Sequence, residues 1–317
     1  MTRTVARTCH LCEATCGLLL TLDADRVVRV EGDPDDVFSH GYICPKGAAL
    51  GELEADPDRL NRPLIREGTE RREVSWEEAF AHIAERLRPL IEEHGPDAVA
   101  VYLGNPNVHN LAGSLYAKPF VKAIGTRNVC TASTVDQMPK HVSSGLLFGD
   151  PLAIPVPDVD RTDYLLMLGA NPRMSNGSLC TAPDFPGRLD ALRDRGGRLV
   201  VVDPRRSRTA ARADEHVPVR PGTDVVLLAA MANVLFDEAL VDLGRLAAHV
   251  AGVERVEEAL KAFTPGVAAR HCRVGEETIR RLARELASAE RGVVYGRIGT
   301  TTVRFGTVTS WLVDVLN

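Results

Sequence analysis

Four cysteines near the N-terminus constrain this chain more than any other feature of its sequence. Cys9, Cys12, Cys16 and Cys44 are four of its seven cysteines, and their spacing is C-x2-C-x3-C-x27-C, with a proline after the last. Four thiolates can hold a tetrahedral zinc ion or a [4Fe–4S] cluster. A zinc ribbon usually has two separate C-x2-C pairs, and c-type haem needs C-x2-C-H, whereas this chain has one pair followed by Glu13. The spacing therefore favours an iron–sulfur cluster, with zinc as the alternative.

Composition and charge exclude several classes of protein. The formal net charge is −5 and aromatic residues make up 5% of the 317 residues, so neither a basic nucleic-acid surface nor a base-stacking platform is expected. No apolar run reaches the roughly 18 residues that a membrane-spanning helix needs. The first residues have no apolar stretch of the kind found in secretory signals, so we expect a cytoplasmic protein of two or three domains.

The order of apolar runs and turns predicts an α/β fold. Short strands are expected at 18–22 and 26–30, and a capping-box helix begins after Ser75. Beyond that point strands and helices alternate, which is typical of a largely parallel sheet. Strands are predicted at 98–103, 164–168, 198–202 and 292–295, and helices at 76–93, 111–124, 185–194, 224–237, 253–262 and 275–289.

Three of these strands end in turns of small or polar residues, at 104–106, 169–172 and 203–205. The carboxyl ends of parallel strands share one edge of a sheet, where ligands bind in α/β proteins. Asp203 could accept hydrogen bonds from a ribose or a guanine, and Arg205 could bind a phosphate. The alternative is that these turns only connect strands to helices, since the common mononucleotide and dinucleotide motifs are missing.

Five segments in order carry a resemblance to a known family: CPKG at 44–47, GANP at 169–172, VDPR at 202–205, RPGTD at 220–224 and IGTTT at 298–302. With the cysteine spacing, they resemble the molybdopterin oxidoreductases of the dimethyl sulfoxide reductase superfamily. The resemblance implies an N-terminal [4Fe–4S] module with short β strands, followed by parallel-sheet α/β dinucleotide-binding domains.

The resemblance also implies a domain organisation. The iron–sulfur module would span 1–58, the first part of a split α/β domain 59–127, and the dinucleotide-binding domain 128–290. Residues 291–317 would begin the return into the split domain. The C-terminal domain of the family would be absent, so the chain would be either truncated or completed by a separate C-terminal polypeptide.

The implied cofactors are the [4Fe–4S] cluster, molybdopterin guanine dinucleotide, and Mo or W. Lys46 would lie between the cluster and the pterin and would take part in electron transfer. The residues that the resemblance assigns to the dinucleotide are Asn105, Gly169, Asn171, Pro172, Ser175, Asp203, Arg205, Arg220, Gly222, Asp224, Gly299 and Thr301.

Asp136 is the expected ligand of the metal ion. Aligning Asn128 and Pro139 with the family pattern places Asp136 where formate dehydrogenases have Cys or selenocysteine. A carboxylate suits a hard, oxidised metal ion. One alternative is that Asp136 caps a helix beginning near Gln137. Another is that Cys130 supplies a thiolate, although a buried free cysteine is the simpler interpretation of that residue.

The resemblance therefore predicts the N-terminal part of an enzyme that passes electrons between a small-molecule substrate and the cluster, and then to an electron-transfer partner. Gln137 and Val303 replace histidines of the formate dehydrogenases, which argues against formate as the substrate. The alternative function is a non-catalytic iron–sulfur fragment for electron transfer or assembly.

Overall fold

A computed structural model describes residues 1–104, 106–177, 180 and 182–317. It divides the chain into an N-terminal unit, Met1–Ala132, and a C-terminal unit, Ser133–Asn317. The predicted domain boundary at 127/128 lies a few residues before this division. None of the helices in the described ranges combines the length and apolarity that crossing a membrane requires.

The N-terminal unit begins with a three-stranded antiparallel meander, β1 (Thr2–Thr8), β2 (Gly17–Asp23) and β3 (Arg26–Gly32). The two predicted strands are confirmed, and β1 was not predicted. Two short helices follow, α1 (Pro45–Ala48) and α2 (Leu50–Glu54). A small apolar cluster around Leu18 and the N-terminal cysteines forms the interior of this module.

The rest of this unit contains a hairpin and a short parallel strand pair. Strands β4 (Leu64–Glu67) and β5 (Glu70–Glu73) form the hairpin. The Ser75 hydroxyl accepts a hydrogen bond from the Glu78 N–H and caps helix α3, as predicted. The remaining elements are α3 (Trp76–His94), a 3-10 turn (Pro96–Ala98), β6 (Val101–Leu103), α4 (Pro106–His109), α5 (Leu111–Ile124) and β7 (Val129–Thr131), with β6 and β7 parallel.

The C-terminal unit is built on a four-stranded parallel sheet in the order β10-β9-β8-β11. Its strands are β8 (Tyr164–Leu168), β9 (Arg198–Val202), β10 (Glu215–Val217) and β11 (Gly292–Gly296). The helices are α6 (Ser133–Asp136), α7 (Met138–Phe148), α8 (Pro172–Ser175), α9 (Phe185–Asp194), α10 (Asp224–Asp237), α11 (Val253–Leu260), α12 (Pro265–Cys272), α13 (Glu276–Ser288), α14 (Ile298–Thr301) and α15 (Gly306–Leu316), with 3-10 turns at Ala210–Arg212 and Gly244–Leu246.

Helices cover both faces of this sheet. Alternate residues of β8 and β9, such as Leu166 and Val200, pack with α10, α12 and α13. The intervening residues, such as Leu165 and Val201, pack against α9 and Phe185 on the other face. All five residues of β8 are buried, as expected for a central strand of a parallel sheet.

The strand order places the reversal of winding between β8 and β11. The chain passes from β8 to β9 on one side, and β11 later pairs in parallel on the other side, with Gly292 opposite Tyr164. A crevice at the carboxyl ends of the strands is expected at such a point. Strand β11 thus extends this sheet, whereas the resemblance predicts that residues 291–317 begin the return into the split domain.

Candidate functional site

The β1–β2 connection gathers three of the four N-terminal cysteines. Cys9 follows β1 directly and Cys16 directly precedes β2, and the Cys9 N–H donates to the Cys16 carbonyl at 2.8 Å. Cys12 lies in the loop between them and packs in the same apolar cluster. The hairpin therefore brings the three sulfurs into one region because it closes the loop that carries them.

Cys44 reaches this region from a different segment. It occupies the N-cap position of α1, and a Cβ built on Gly47 of that helix would lie 3.9 Å from the Cys9 Sγ. The connecting loop is held in place because the Gly17 N–H donates to the Ser39 Oγ at 3.0 Å. Glycine at position 47 thus lets the helix lie close to the cysteines.

The four thiols are close enough to affect each other's ionisation. Burial, together with the charges of Cys9, Cys12 and Cys44, raises the pKa of Cys16 to about 11. All four cysteines are free. Among the described residues no three His, Cys, Asp or Glu side chains converge as ligands of a single ion. A cube-shaped cluster needs no such convergence because each thiolate binds a different iron, so this donor set fits [4Fe–4S].

Lys46 lies close to two of these thiols. Burial raises the pKa of Cys9 and Cys12, whereas the positive charge of Lys46 lowers both values. The Lys46 side chain itself is exposed. Its charge is therefore placed to act on a cluster held by these cysteines.

In the C-terminal unit, two of the predicted dinucleotide residues touch each other at the reversal of winding. Gly169 follows β8 with φ +57, and a Cβ added there would lie 2.7 Å from the Gly299 Cα. The Gly299 N–H donates to the Gly169 carbonyl at 3.0 Å. Both positions need glycine because the two turns pack backbone against backbone.

Asn171 connects the turn after β8 to the loop after β9. Its Oδ1 accepts hydrogen bonds from the Thr209 hydroxyl at 2.8 Å and from the Thr209 N–H at 3.3 Å. The Thr209 hydroxyl in turn accepts from the Arg173 N–H, at the start of α8. The Asn171 side-chain oxygen therefore holds the turn after β8 against the loop after β9. Pro172 and Ser175 lie on α8 beside it, and Asn105 lies outside the described residues.

Two carboxylates approach each other at this edge. Asp224, the first residue of α10, is 5% exposed, and burial together with the charge of Asp203 raises its pKa to about 6. Asp203 accepts a hydrogen bond from the Arg205 N–H at 2.8 Å. The described residues place no cation within ion-pair distance of either carboxylate, so both remain available as hydrogen-bond acceptors.

Two arginines lie close to the carboxylates in sequence: Arg205 is two residues after Asp203, and Arg220 is four residues before Asp224. Arg205 and Arg220 are exposed, and neither forms an ion pair with a described residue. Gly222 has φ +77, and a Cβ there would meet nothing within 4 Å, so this glycine serves the turn into α10 rather than a close approach. Carboxylate acceptors and arginines without an ion-pair partner among the described residues are groups that can bind the base and the phosphates of a nucleotide.

Asp136 ends the one-turn helix α6. Its carbonyl accepts a hydrogen bond from the Thr301 hydroxyl at 2.5 Å, so the predicted residue Thr301 contacts the predicted metal ligand. In the described part of the chain no backbone N–H donates to the Asp136 carboxylate, and Gln137, not Asp136, is the N-cap of α7. The cap interpretation is therefore wrong. Cys130 is free but exposed on β7, which corrects the expectation that it is buried.

Sequence reasoning missed a buried ion pair beside this segment. The Lys140 Nζ lies 2.8 Å and 2.6 Å from the two carboxylate oxygens of Asp314. The two residues are 174 positions apart, and no spacing rule connects them. The one hint of this pair in the sequence is that a charged residue stands in each of two otherwise apolar helices, α7 and α15.

Comparison with known proteins covers both units. The molybdopterin oxidoreductase Fe4S4 domain matches residues 2–55, and the molybdopterin oxidoreductase family matches residues 59–287. A nitrate reductase of Symbiobacterium thermophilum is 31% identical over 306 residues, covering 89% of this chain and 38% of that protein. Formate dehydrogenase H of Escherichia coli is 28% identical over 307 residues, covering 94% and 42%.

Among solved structures, acetylene hydratase from Pelobacter acetylenicus superposes with a TM-score of 0.79 at 22% identity. The match covers 98% of this chain and 42% of that one, and it shows the fold alone. The chain thus spans about two fifths of the length of the curated relatives above. The two family matches, over the cysteine module and the α/β region, show that the chain belongs to the molybdopterin oxidoreductases with an Fe4S4 domain, in the dimethyl sulfoxide reductase superfamily.

Proposed function

We propose that this chain is the cluster- and dinucleotide-binding part of a molybdenum- or tungsten-dependent oxidoreductase that passes electrons between a small substrate and a [4Fe–4S] cluster. The observation that carries the proposal is that one chain holds two groups of ligand-binding residues. Four free, mutually coupled thiols lie in the N-terminal unit, and acceptors with unpaired arginines line a parallel-sheet edge in the C-terminal unit. An electron-transfer partner would take electrons from the cluster.

The residues divide the work by chemistry. Asp203 and Asp224 would accept N–H groups of the guanine, and Arg205 and Arg220 would pair with the phosphates. Asn171 would keep the two turns at this edge in register. When bound, the pterin-held metal supplies two-electron redox chemistry, and Asp136 is the residue proposed to hold it. Lys46 would offset the negative charge that the cluster gains on reduction.

Metal analysis distinguishes this proposal from a non-catalytic iron–sulfur fragment. Anaerobically purified protein should contain about four iron atoms per chain together with one Mo or W when the pterin cofactor is supplied. Asp136→Asn should lower the Mo or W content and leave the iron unchanged. Iron without Mo or W in the wild-type protein would favour the fragment, and one zinc without iron would contradict the cluster assignment.

Binding of GDP, measured by calorimetry, tests the base-recognition part. Ionised Asp224 accepts the guanine N–H groups, and its pKa is raised to about 6, so affinity should rise roughly tenfold from pH 5 to pH 7. Asp224→Asn should weaken GDP binding and remove this pH dependence. Asp237→Asn, at the exposed end of the same helix, is the matched control. Equal binding of ADP and GDP would contradict guanine recognition.

A further inference from the structure

The Lys140–Asp314 contact is the most buried ion pair among the described residues. The side chains are 11% and 5% exposed, and the ammonium contacts both carboxylate oxygens. Burial raises the pKa of Asp314, and the charge of Lys140 opposes that effect. Burying two charges costs free energy that their attraction only partly returns, and an apolar pair of similar size is often as stable. Stability alone therefore does not explain this pair.

The position of the pair in the fold is informative. Lys140 lies on α7, which begins two residues after Asp136, and Asp314 lies on α15. Just before α15, the Thr301 hydroxyl of α14 donates to the Asp136 carbonyl at 2.5 Å. Two contacts therefore join the segment around Asp136 to the segment that follows β11, one at each end of the corner between α6 and α7.

Helix α7 packs closely against α15, but mainly through small side chains. The buried residues of this helix are Lys140, Ser143 and Ser144, and neither serine hydroxyl has a hydrogen-bond partner. Its larger apolar side chains are at least 40% exposed, among them Val142 and Leu146. Beside the ion pair lies a partly open pocket of about 340 Å³, which Lys140 and Asp314 help to line. Apart from Lys140, this helix buries only small side chains, which give few interlocking contacts that would fix its register.

We propose that Lys140 and Asp314, together with Thr301, are positioning residues that hold the Asp136 segment in one place at the carboxyl end of β11. The two-point contact between ammonium and carboxylate fixes both the rotation of α7 and its shift along α15. The inference rests on the proposed function in one respect, because Asp136 matters to the chemistry only if it holds the metal. It concerns the position of the segment, which is measurable without the metal.

Hydrogen exchange of residues 133–148, read by mass spectrometry on the full chain, tests the proposal. Lys140→Met and Asp314→Leu each leave a buried charge unpaired, so each should lower the urea midpoint and speed exchange of this segment. The double variant Lys140→Met/Asp314→Leu removes both charges and should restore the midpoint. It should still exchange at least tenfold faster than wild type at 133–148, while α13 is unchanged.

The double variant separates positioning from stability, because a purely structural pair would regain protection when the midpoint is regained. Wild-type exchange at 133–148 in the double variant would overturn the proposal. Lys261→Met, which breaks an exposed ion pair with Glu258, is the matched control. It should change neither the urea midpoint nor the hydrogen exchange of residues 133–148. A wild-type protein that took up no Mo or W would count against the proposed function, and it would leave the exchange result standing.

Discussion

At the scale of single residues, Asp224 combines a buried carboxylate with a like charge nearby. Its pKa is raised to about 6, above that of the unfolded chain, so between about pH 4 and pH 6 the folded protein binds a proton that the unfolded chain has lost. Stability should therefore fall as pH rises through this window. Asp224→Asn should gain roughly 2–3 kcal/mol relative to wild type between pH 4 and pH 7, measured by urea unfolding. For the exposed control Asp237→Asn, the difference in unfolding free energy from wild type should not change with pH. The same pH-independent difference for Asp224→Asn would show that folding does not raise the pKa of Asp224.

Lys46 also acts through charge, on the neighbouring cysteines. In cluster-loaded protein, Lys46→Ala should lower the cluster reduction potential by on the order of tens of millivolts, because a nearby cation stabilises the reduced state. Iron content should stay the same. Redox titration followed by EPR measures the shift, and Lys118→Ala on the exposed face of α5 serves as the control. An unchanged reduction potential would show that the charge of Lys46 does not act on the cluster.

At the scale of elements, the turns after β8 and β11 touch through two glycines. Gly299→Ala places a methyl group 2.7 Å from the Gly169 Cα, and backbone cannot move aside as a flexible side chain can. The variant should lose about 1–3 kcal/mol of stability and also weaken GDP binding, since the edge is displaced. Gly145→Ala, in the interior of α7 with its nearest contact at 3.7 Å, should be neutral or stabilising. Equal effects of the two variants would show that the glycine contact is loose.

The elements with a strong apolar pattern could be predicted from sequence, and those without one could not. Strand β8 and helix α9 have the predicted bounds because β8 is an unbroken run of buried apolar residues, and α9 buries Phe185, Leu189 and Leu192 at helical spacing. Strands β1 and β5 bury no residue, so they carry no alternating signal and are held by backbone pairing. The turns at 169 and 299 were expected near a ligand, but their contact with each other depends on sheet order. The Lys140–Asp314 pair was unpredictable for the same reason.

At the scale of the whole molecule, the two units differ in what stabilises them. The C-terminal unit has large apolar clusters on both faces of its sheet, whereas the cysteine module has one small cluster that includes its cysteines. The free energy of binding a metal cluster at such a site also stabilises the folded module. Removing iron with a chelator should therefore speed hydrogen exchange in β1–β3 at least tenfold and leave β8 and β9 unchanged. Cys16→Ser should act like the chelator, and Cys180→Ser should not. Full protection of β1–β3 without iron would contradict this dependence.

The long separations within the C-terminal unit also set the order in which it is completed. Asp136 and Thr301 are 165 residues apart, and Lys140 and Asp314 are 174 apart. At roughly 5–20 residues per second, Asp314 is synthesised about 9–35 s after Lys140. Between the completion of β9 at Val202 and the start of β11 at Gly292, the nascent chain has β8 and β9 but neither β11 nor the partner of its buried lysine. The edge between β8 and β11 therefore does not exist on the ribosome until β11 and the turn at Gly299 have emerged, and any group that binds there meets a chain whose synthesis has passed that turn.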